Sequence, residues 1–381
     1  MKYTNPLIRN IARRISILCA IYFALFTFLY LYVLERDILA QTQFQLSEGT
    51  TLYHPLLAAL LCTSLLTLLG SFLGLLFQWL PLRMKASAWF LPFELVGGLS
   101  HWCFPQFGDA SNPPSWGSLL AILFVYLLWL LVVRQFPDSA KEKENFVTYA
   151  WPNALQLILC TMLTVGISNT DAHLHHTLAA GRYLSEGRYG RALHEARWEE
   201  QPSRQLTAIT ALCLSETGQL GERLFAYPQP YGSEGLLPRL SDTLMVYNLP
   251  LMAGHHLGYK KGDQTATTVF LQVLSGMPKT RPAARDYLLC AHLLDRNLED
   301  FVQAVKDNEL VLDSLPRHYS EALILYQHTY PEKAPIYTND SLALCFEVFQ
   351  DMLHEKGTKA EREFEVRHHF GASYWTYFYF N

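Results

Sequence analysis

The chain has 381 residues, of which half are hydrophobic and 17% are charged, and its formal net charge is −4. Residues 1–168 contain 10 Lys and Arg against 8 Asp and Glu, whereas residues 169–381 contain 20 against 26. The first part is too poor in charge for a water-soluble domain, and the second is acidic without the basic stripe of a nucleic-acid-binding surface. We therefore expect a transmembrane domain, residues 1–168, followed by a soluble domain, residues 169–381.

The first apolar run, residues 15–34, follows a basic stretch that contains no acidic residue. Its twenty residues are enough to cross a hydrocarbon core of about 30 Å as a helix. The run is too long for a cleaved signal peptide and ends in Glu35-Arg36-Asp37 instead of small residues, which favours a retained membrane span. The polar residues 35–54 are predicted to form an external loop.

Four further apolar segments complete a predicted set of five transmembrane helices. They are residues 55–80, 88–105, 116–133 and 152–168. The distribution of basic residues sets their orientation, because cytoplasmic loops are enriched in Lys and Arg. Segments 1–14, 81–87 and 134–151 contain four, two and three of them, and loops 35–54 and 106–115 contain one and none. The N-terminus is therefore predicted to be cytoplasmic and the soluble domain to lie outside the cytoplasm.

Glu94 and His101 are the notable polar residues of the third predicted span, which also contains proline and a Gly-Gly pair. They are seven residues apart and share one face of a helix. An ionisable residue at membrane depth is costly and points to a function, such as a proton relay or a ligand site. The alternative is structural: both residues lie near an interface and pair with Gln78 or Gln156 to hold the helices together.

From residue 170 onward, apolar residues recur at helical spacing, and no run shows the alternation of a strand. An all-α domain of stacked helix pairs, an α-solenoid, is predicted, with an unrelated helical bundle as the alternative. The candidate helices are roughly 172–186, 188–200, 203–217, 241–258, 264–276, 283–296, 298–315, 318–329, 340–356 and 359–369.

Residues 180–202 resemble the tetratricopeptide pattern, with a poorer copy at residues 287–316. Ala180 and Ala192 are small enough to let two antiparallel helices approach, and Gly187 provides the turn between them. Tyr183 and Tyr189 are placed to fill the space between the helices. On the concave face of such a stack they are also candidate contacts for a partner.

Residues 218–240 interrupt the helical pattern with several Gly and Pro residues around Phe225, Tyr227 and Tyr231. An ordered loop rich in aromatic residues either lines a binding groove or caps the stack of helices. The C-terminal residues 370–380 contain seven more aromatic residues. They are expected to pack on the last helices or to lie at the membrane surface.

Metal and cysteine chemistry receive no assignment. Asp171, His173, His175 and His176 follow the last span, and such a cluster either binds zinc or copper or forms a solvated surface. The seven cysteines show no zinc-binding spacing. Two interpretations of Cys213, Cys290 and Cys345 stay open: small buried hydrophobic residues, or one disulfide in an oxidising compartment.

The whole chain resembles an uncharacterised bacterial family of multi-spanning membrane proteins with a tetratricopeptide-like C-terminal part. The resemblance is carried by the span block and by LSETGQLGERLFAYPQPYGSEGLLP, DYLLCAHLLDRNLEDF, LPRHYSEALILYQ and FGASYWTYF. It implies this architecture and the inner membrane of a diderm bacterium, with the C-terminal domain in the periplasm. That family has no established activity, so the resemblance supplies no catalytic residue.

No P-loop, nucleophile elbow or dinucleotide fingerprint occurs in the sequence, and no cofactor is implied. The favoured hypothesis is a membrane-anchored scaffold whose extracytoplasmic helical domain binds a protein or peptide in the cell envelope. The alternative is a membrane-embedded enzyme or transport component that uses Glu94 and His101. A third hypothesis is that the soluble domain mediates self-association.

Overall fold

The computed structural model describes residues 6–103, 116–135, 145–239, 246–260, 266–277, 281–308, 310–311, 314–333, 337–355 and 357–381. Its regular secondary structure within those ranges is helical throughout, so the predicted all-α class is confirmed. The chain divides into two compact units, Met1–Ala172 and His173–Asn381. The sequence pattern placed the boundary after Ser168.

The N-terminal unit is a set of apolar helices. They are α1 (Pro6–Leu29), α2 (Arg36–Leu46), α3 (Pro55–Leu76), α4 (Phe90–Cys103), α5 (Trp116–Arg134) and α6 (Phe146–Ile167). A π-helical turn, Tyr30–Leu34, continues α1, and a 3-10 segment, Leu82–Trp89, precedes α4. Three of the described helices are long and apolar enough to cross a membrane: Pro6–Leu34, Pro55–Leu76 and Phe146–Ile167.

The helix bounds correct the sequence prediction at three places. The predicted external loop 35–54 contains α2, because no Gly or Pro interrupts residues 35–46 and the α2 residues Ile38 and Gln41 are buried. The last apolar helix begins at Phe146 and contains Pro152 in its interior instead of starting there. The third predicted span is represented by α4, whose 14 residues extend about 21 Å, short of a 30 Å core.

The 3-10 segment Leu82–Trp89, which includes most of the predicted connection 81–87, is packed against α6. Asn153 of α6 connects the two: its Oδ1 accepts from the Ala86 N–H at 2.7 Å, and its Nδ2 donates to the Leu82 carbonyl at 2.8 Å. Both backbone groups belong to the buried side of the segment. Backbone N–H and C=O groups that are buried away from water need hydrogen-bond partners, and the Asn153 side chain supplies them for these two groups.

The C-terminal unit is built from shorter helices joined by tight turns. They are α7 (Ala172–Ser185), α8 (Tyr189–Ala196), α9 (Arg204–Glu216), α10 (Leu220–Arg223), α11 (Leu249–Leu257), α12 (Thr267–Ser275), α13 (Pro282–Leu294), α14 (Leu298–Asp307), α15 (Arg317–Thr329), α16 (Asp340–His354), α17 (Lys359–Phe370) and α18 (Tyr374–Phe380). Consecutive helices pack on each other: α8 on α9, and each helix from α12 to α17 on the next. Pro250, which predicts a kink, lies in the first turn of α11, where its missing N–H is harmless.

The aromatic C-terminus packs on the helices of this unit, as one of the two sequence alternatives predicted. The Trp375 indole is 1% exposed and donates from Nε1 to the Glu321 carbonyl at 2.8 Å. Tyr377 donates from its hydroxyl to the Leu294 carbonyl at 2.9 Å. Helix α18 is thereby fixed on α13 and α15.

The cysteines of the C-terminal unit are free thiols. Cys213 and Cys290 are buried, and Cys345 is exposed on α16. The disulfide considered from the sequence is not formed. Burial raises the pKa of the Cys213 and Cys290 thiols to about 12.

Candidate functional site

The C-terminal unit contains a cavity of about 960 Å³, which we call the C-terminal cavity. Four parts of the chain form its walls: the segment between α8 and α9, the loop after α10, the turn after α13, and the residues from α17 onward. The lining residues are Glu200, Phe225, Ala226, Tyr227, Pro228, Gln229, Pro230, Gly232, Arg296, Arg367, Gly371, Tyr377 and Asn381. A cavity of this size is at the upper end of the range of small-molecule sites and can also take one or two side chains of a peptide.

The loop wall is held in place by Glu234. Its Oε1 accepts from the Thr267 N–H at 3.0 Å, and its Oε2 accepts from Arg204 at 3.3 Å and from Arg239. Burial raises the pKa of this carboxyl, but the bonds from Thr267, Arg239 and Arg204 outweigh it and leave the pKa below its usual value. The loop is therefore tied to α9 and α12 by a carboxylate that stays ionised at neutral pH.

An aromatic cluster forms the inner wall. The Phe225 ring lies 4.8 Å from the Tyr377 ring and 5.2 Å from the Tyr374 ring, centroid to centroid. It also meets the His318 ring edge-on at 4.9 Å. Phe225 and Tyr227 are each 6% exposed, so they are part of the hydrophobic core as well as of the cavity wall.

Arg296 is at the turn that follows α13. Its backbone has a φ of +57°, in the left-handed region that favours glycine. Its guanidinium carbon lies 5.7 Å from the centroid of the Tyr377 ring, a cation–π contact. Within the described residues Arg296 forms no ion pair. The carboxylate of the neighbouring Asp295 is bonded elsewhere, because its Oδ2 accepts a hydrogen bond from the Thr268 hydroxyl at 2.6 Å.

Gln229 and Arg367 complete the polar lining. The Gln229 amide donates from Nε2 to the carbonyls of Leu224 at 3.2 Å and Tyr227 at 3.4 Å. Its Oε1 is buried and has no hydrogen-bond partner within the described part of the chain. Arg367 bonds Glu363 at 2.8 Å and the Asn381 side chain at 3.0 Å, and a guanidinium has five N–H donors, so further donors remain.

This arrangement offers charged, polar and apolar contacts to a ligand. Two guanidinium groups, one unused amide acceptor and an aromatic wall surround the same space. A ligand that combines an anionic group, an N–H donor and an apolar part would satisfy all three.

The other predicted aromatic contacts lie outside this cavity. Tyr183 is half-buried on α7 beneath the Arg182 guanidinium, 4.3 Å from its ring centroid. Tyr189 is half-buried on α8, and burial raises the pKa of its hydroxyl, together with the charge of Glu216. Tyr231 is 42% exposed and does not line the cavity. The structure therefore brings together only Phe225 and Tyr227 of the five predicted contacts.

Glu94 is buried in the N-terminal unit, with 5% of its surface exposed. Its Oε1 has no hydrogen-bond partner among the residues that the structure describes. The Gln156 amide, one of the two pairing partners considered from the sequence, bonds Ser87 at 2.9 Å and the Arg83 carbonyl at 3.0 Å. His101 is part of α4, but its side chain lies outside the described residues, so the relation of the two predicted residues is not defined.

The histidines that follow α6 pair with glutamates. His173 Nδ1 contacts Glu199, and His176 Nδ1 lies 2.9 Å from Glu195 Oε2, so both join α7 to the end of α8. Among the described residues, no group of three His, Cys, Asp or Glu side chains could hold a metal ion. The cluster fixes one helix on the next.

Sequence reasoning missed Gln229, Arg296, Arg367 and Tyr377. Arg296 was detectable in one respect: two other helix ends in this unit have glycine at the corresponding position, and this one does not. Arg367 and Tyr377 come from the end of the chain, and only the tertiary structure brings them to residue 229.

The sequence matches a family of unknown function, DUF6057, over residues 7–266 and 259–381. No curated protein and no solved structure matches the chain.

Proposed function

Because the chain belongs to the family of unknown function DUF6057, its role has to be inferred from its own geometry, and we propose that it is a membrane-anchored binding protein. The N-terminal unit is the anchor. The C-terminal unit binds a protein or peptide partner in the cell envelope, and the observation that carries this proposal is the C-terminal cavity with its unpaired polar groups.

The apolar surface of the N-terminal unit supports the membrane anchor. Leu61, Leu65 and Leu68 of α3 are 62%, 69% and 68% exposed, and Phe124 of α5 is 61% exposed. Continuous apolar faces of this size are unfavourable in water and suit hydrocarbon. The Lys and Arg distribution favours a cytoplasmic N-terminus, and we place the chain in a bacterial inner membrane with the C-terminal unit in the periplasm.

Two features of α7 and α8 support a tetratricopeptide-like arrangement within the C-terminal unit. The small residues Ala180 and Ala192 are buried, and Gly187 at the turn has a φ of +70°. Burial of the small residues and a left-handed turn are two features that such a helix pair requires. Stacks of such helix pairs commonly present binding surfaces, which agrees with the proposed role.

Site-specific photocrosslinking in living cells tests the binding function. A photoreactive amino acid is placed at Ala226, an exposed residue of the cavity wall, and in a control strain at Ala343, an exposed residue of α16 outside the lining. A defined protein adduct at 226 but not at 343 is expected. The crosslinked protein, once purified, should bind the full-length chain and lose binding to Ala226→Trp but not to Ala343→Trp.

Two results would contradict this function: identical adducts at both positions, or a purified candidate that binds Ala226→Trp as well as the wild type. An adduct between two copies of the chain at 226 would replace the proposed partner with self-association. Protease treatment of intact spheroplasts tests the topology separately, because a periplasmic C-terminal unit is cleaved from outside and a cytoplasmic one is protected until lysis.

A membrane-embedded role is the second candidate, and Glu94 is the observation that favours it. A carboxyl that is 5% exposed inside an apolar unit, with Oε1 unpartnered within the described residues, is a functional candidate. Under this alternative Glu94→Gln abolishes the cellular effect of the protein. If the binding function is correct, Glu94→Gln preserves the cellular effect of the protein and Ala226→Trp abolishes it.

A further inference from the structure

The chemistry of the cavity lining specifies what kind of segment would enter it, and this inference rests on the binding function proposed above. We propose that the C-terminal cavity binds an extended peptide segment in which an apolar side chain is flanked by an acidic one. Arg296 and Arg367 meet the acidic side chain, the aromatic wall takes the apolar one, and Gln229 accepts a backbone N–H of the segment.

The first step concerns Arg296 and its backbone. Helices α9 and α13 end with the same pair of hydrogen bonds, in which the backbone N–H groups of the second and third residues after the helix donate to carbonyls of its last turns. At the left-handed position of this motif α9 has Gly218, with a φ of +66°, and α13 has Arg296, with a φ of +57°. Glycine takes this conformation without a steric penalty, and arginine does not. An arginine at this position, without a carboxylate partner in the described residues, points to a use for its side chain.

The second step concerns the sign and size of the ligand charge. The charged residues of the lining are Glu200, Arg296 and Arg367. Arg367 is already paired with Glu363 at 2.8 Å, so Arg296 is the positive charge that has no carboxylate partner within the described residues. One carboxylate matches this single unpaired guanidinium better than a phosphate dianion does. Both arginines are exposed, so the carboxylate belongs at the rim of the cavity.

The third step concerns Gln229. Its Nε2 bonds two carbonyls, which identifies Oε1 as the atom without a partner. Gln229 is 4% exposed, and a buried acceptor that makes no hydrogen bond costs about 1–3 kcal/mol. An N–H donor on the ligand would match this acceptor, and a peptide backbone has one at nearly every residue, whereas a phosphate or fatty acid has none.

The fourth step concerns the apolar side chain. The rings of Phe225 and Tyr377, which lie 4.8 Å apart, line the cavity, and Pro228 and Pro230 add two rigid apolar residues to the same lining. Proline fixes its own backbone and keeps the preceding residue extended, as seen for Tyr227 with φ −118° and ψ 146°. The wall is thus preformed, and an aromatic or aliphatic side chain enters without reorganising it.

Peptide binding to the purified full-length protein tests the proposal. The probes are fluorescein-labelled, C-terminally amidated octapeptides with one aromatic or aliphatic anchor, synthesised in pairs with Glu or Gln beside the anchor. Fluorescence anisotropy should show Glu peptides binding about tenfold more tightly than their Gln partners, the difference expected for a charge-assisted hydrogen bond. This preference should shrink as salt is added.

Variants separate a binding role of Arg296 from a structural one. Arg296→Gly relieves the left-handed backbone, so its melting temperature should equal or exceed that of the wild type while the Glu preference disappears. Arg367→Gln should reduce the preference, and Gln229→Leu should weaken Glu and Gln peptides alike. The control Arg285→Gln removes an exposed charge of α13 outside the lining, and it should change neither the melting temperature nor the preference for Glu peptides.

The outcomes distinguish this proposal from the function on which it rests. If no peptide of either series binds and crosslinking at 226 also fails, the binding function is wrong. If crosslinking identifies a partner but Glu and Gln peptides bind equally, or Arg296→Gly keeps the Glu preference, the acidic-segment inference is wrong and the binding function stands. Tighter binding of phosphopeptides, or of free-carboxylate peptides without an internal acid, would also overturn the inference.

Discussion

The carboxylate of Glu321 accepts a hydrogen bond from the backbone N–H of Tyr374 at 2.7 Å, across 53 residues of chain. The same carboxylate bonds Arg317 Nε at 2.7 Å and His318 Nδ1 at 3.0 Å, and Glu321 is 1% exposed. One buried acid on α15 therefore determines where α18 begins, and through α18 it sets the position of Tyr377 in the cavity wall.

Glu321→Gln should destabilise the C-terminal unit by about 3 kcal/mol, because breaking a buried charged network leaves its partners uncompensated. The melting temperature of the full-length protein in detergent, followed by circular dichroism, measures this effect, and limited proteolysis should release the C-terminal segment earlier. Glu347→Gln on the exposed face of α16 is the matched control. Equal melting temperatures for the two variants would show that Glu321 does not fix α18.

Asn153→Leu should reduce the thermal stability of the N-terminal unit strongly. The substitution leaves the Ala86 N–H and the Leu82 carbonyl without their side-chain partner, and each buried unsatisfied group costs about 1–3 kcal/mol. Fluorescence size-exclusion chromatography after heating detergent-solubilised protein measures the loss. Leu155 of α6 is 46% exposed, and the control Leu155→Ala should behave like the wild type. An Asn153→Leu variant as stable as the wild type would refute the stabilising role of the two Asn153 hydrogen bonds.

Ser203→Ala should destabilise the start of α9 by about 1 kcal/mol, the usual effect of removing an N-cap. Ser203 Oγ accepts from the Leu206 N–H at 3.2 Å and also contacts Thr177 Oγ1 at 3.1 Å on α7. Hydrogen exchange of the first turn of α9 should accelerate in the variant. Ser341→Ala on α16 is the control. Unchanged hydrogen exchange in Ser203→Ala would show that the Ser203 side chain does not stabilise the start of α9.

Acid should weaken the C-terminal unit through His292. Burial lowers the pKa of this imidazole below its ordinary 6.5, although Asp300 and Asp295 raise it in part. The unfolded chain therefore binds a proton first as the pH falls, so stability is complete above about pH 6.5 and is lost below it.

His292→Leu should accordingly reduce the drop in melting temperature between pH 7.5 and pH 5.5. Exposed His369→Leu is the control and should leave that drop as in the wild type. Burial lowers the pKa of His256 as well, so part of the acid sensitivity should persist in His292→Leu. An unchanged drop in the variant would mean that His292 is not the titrating group.

Helix positions in the C-terminal unit were predictable because local chemistry decides them. Glycine at 187 and 218 and proline at 282 mark ends and beginnings whatever the helices pack on. In the N-terminal unit these local signals were misleading for one segment, whose sequence contains charged residues although part of its backbone is buried. The Leu82–Trp89 segment contains Arg83 and Lys85 and looks like a loop, but a single asparagine distant in the sequence allows its backbone to be buried.

The candidate site was only half predictable, for a related reason. The loop around Phe225 and Tyr227 was recognised because aromatic residues between prolines and glycines are unusual. Its partners, Arg296 and Arg367, are ordinary charged residues in the sequence. Their importance depends on which distant elements meet them, and that information is not contained in local pattern.

The free cysteines have a practical consequence for chemical labelling. Thiolates, not thiols, react with maleimides, so the buried Cys213 and Cys290 with their raised pKa are poor targets. Cys345 is exposed on α16. A membrane-impermeant maleimide added to spheroplasts would modify Cys345 only where the C-terminal unit is on the outer side, with Cys345→Ser as the blank. The native chain thus contains its own topology reporter, and no engineered cysteine is needed to read it.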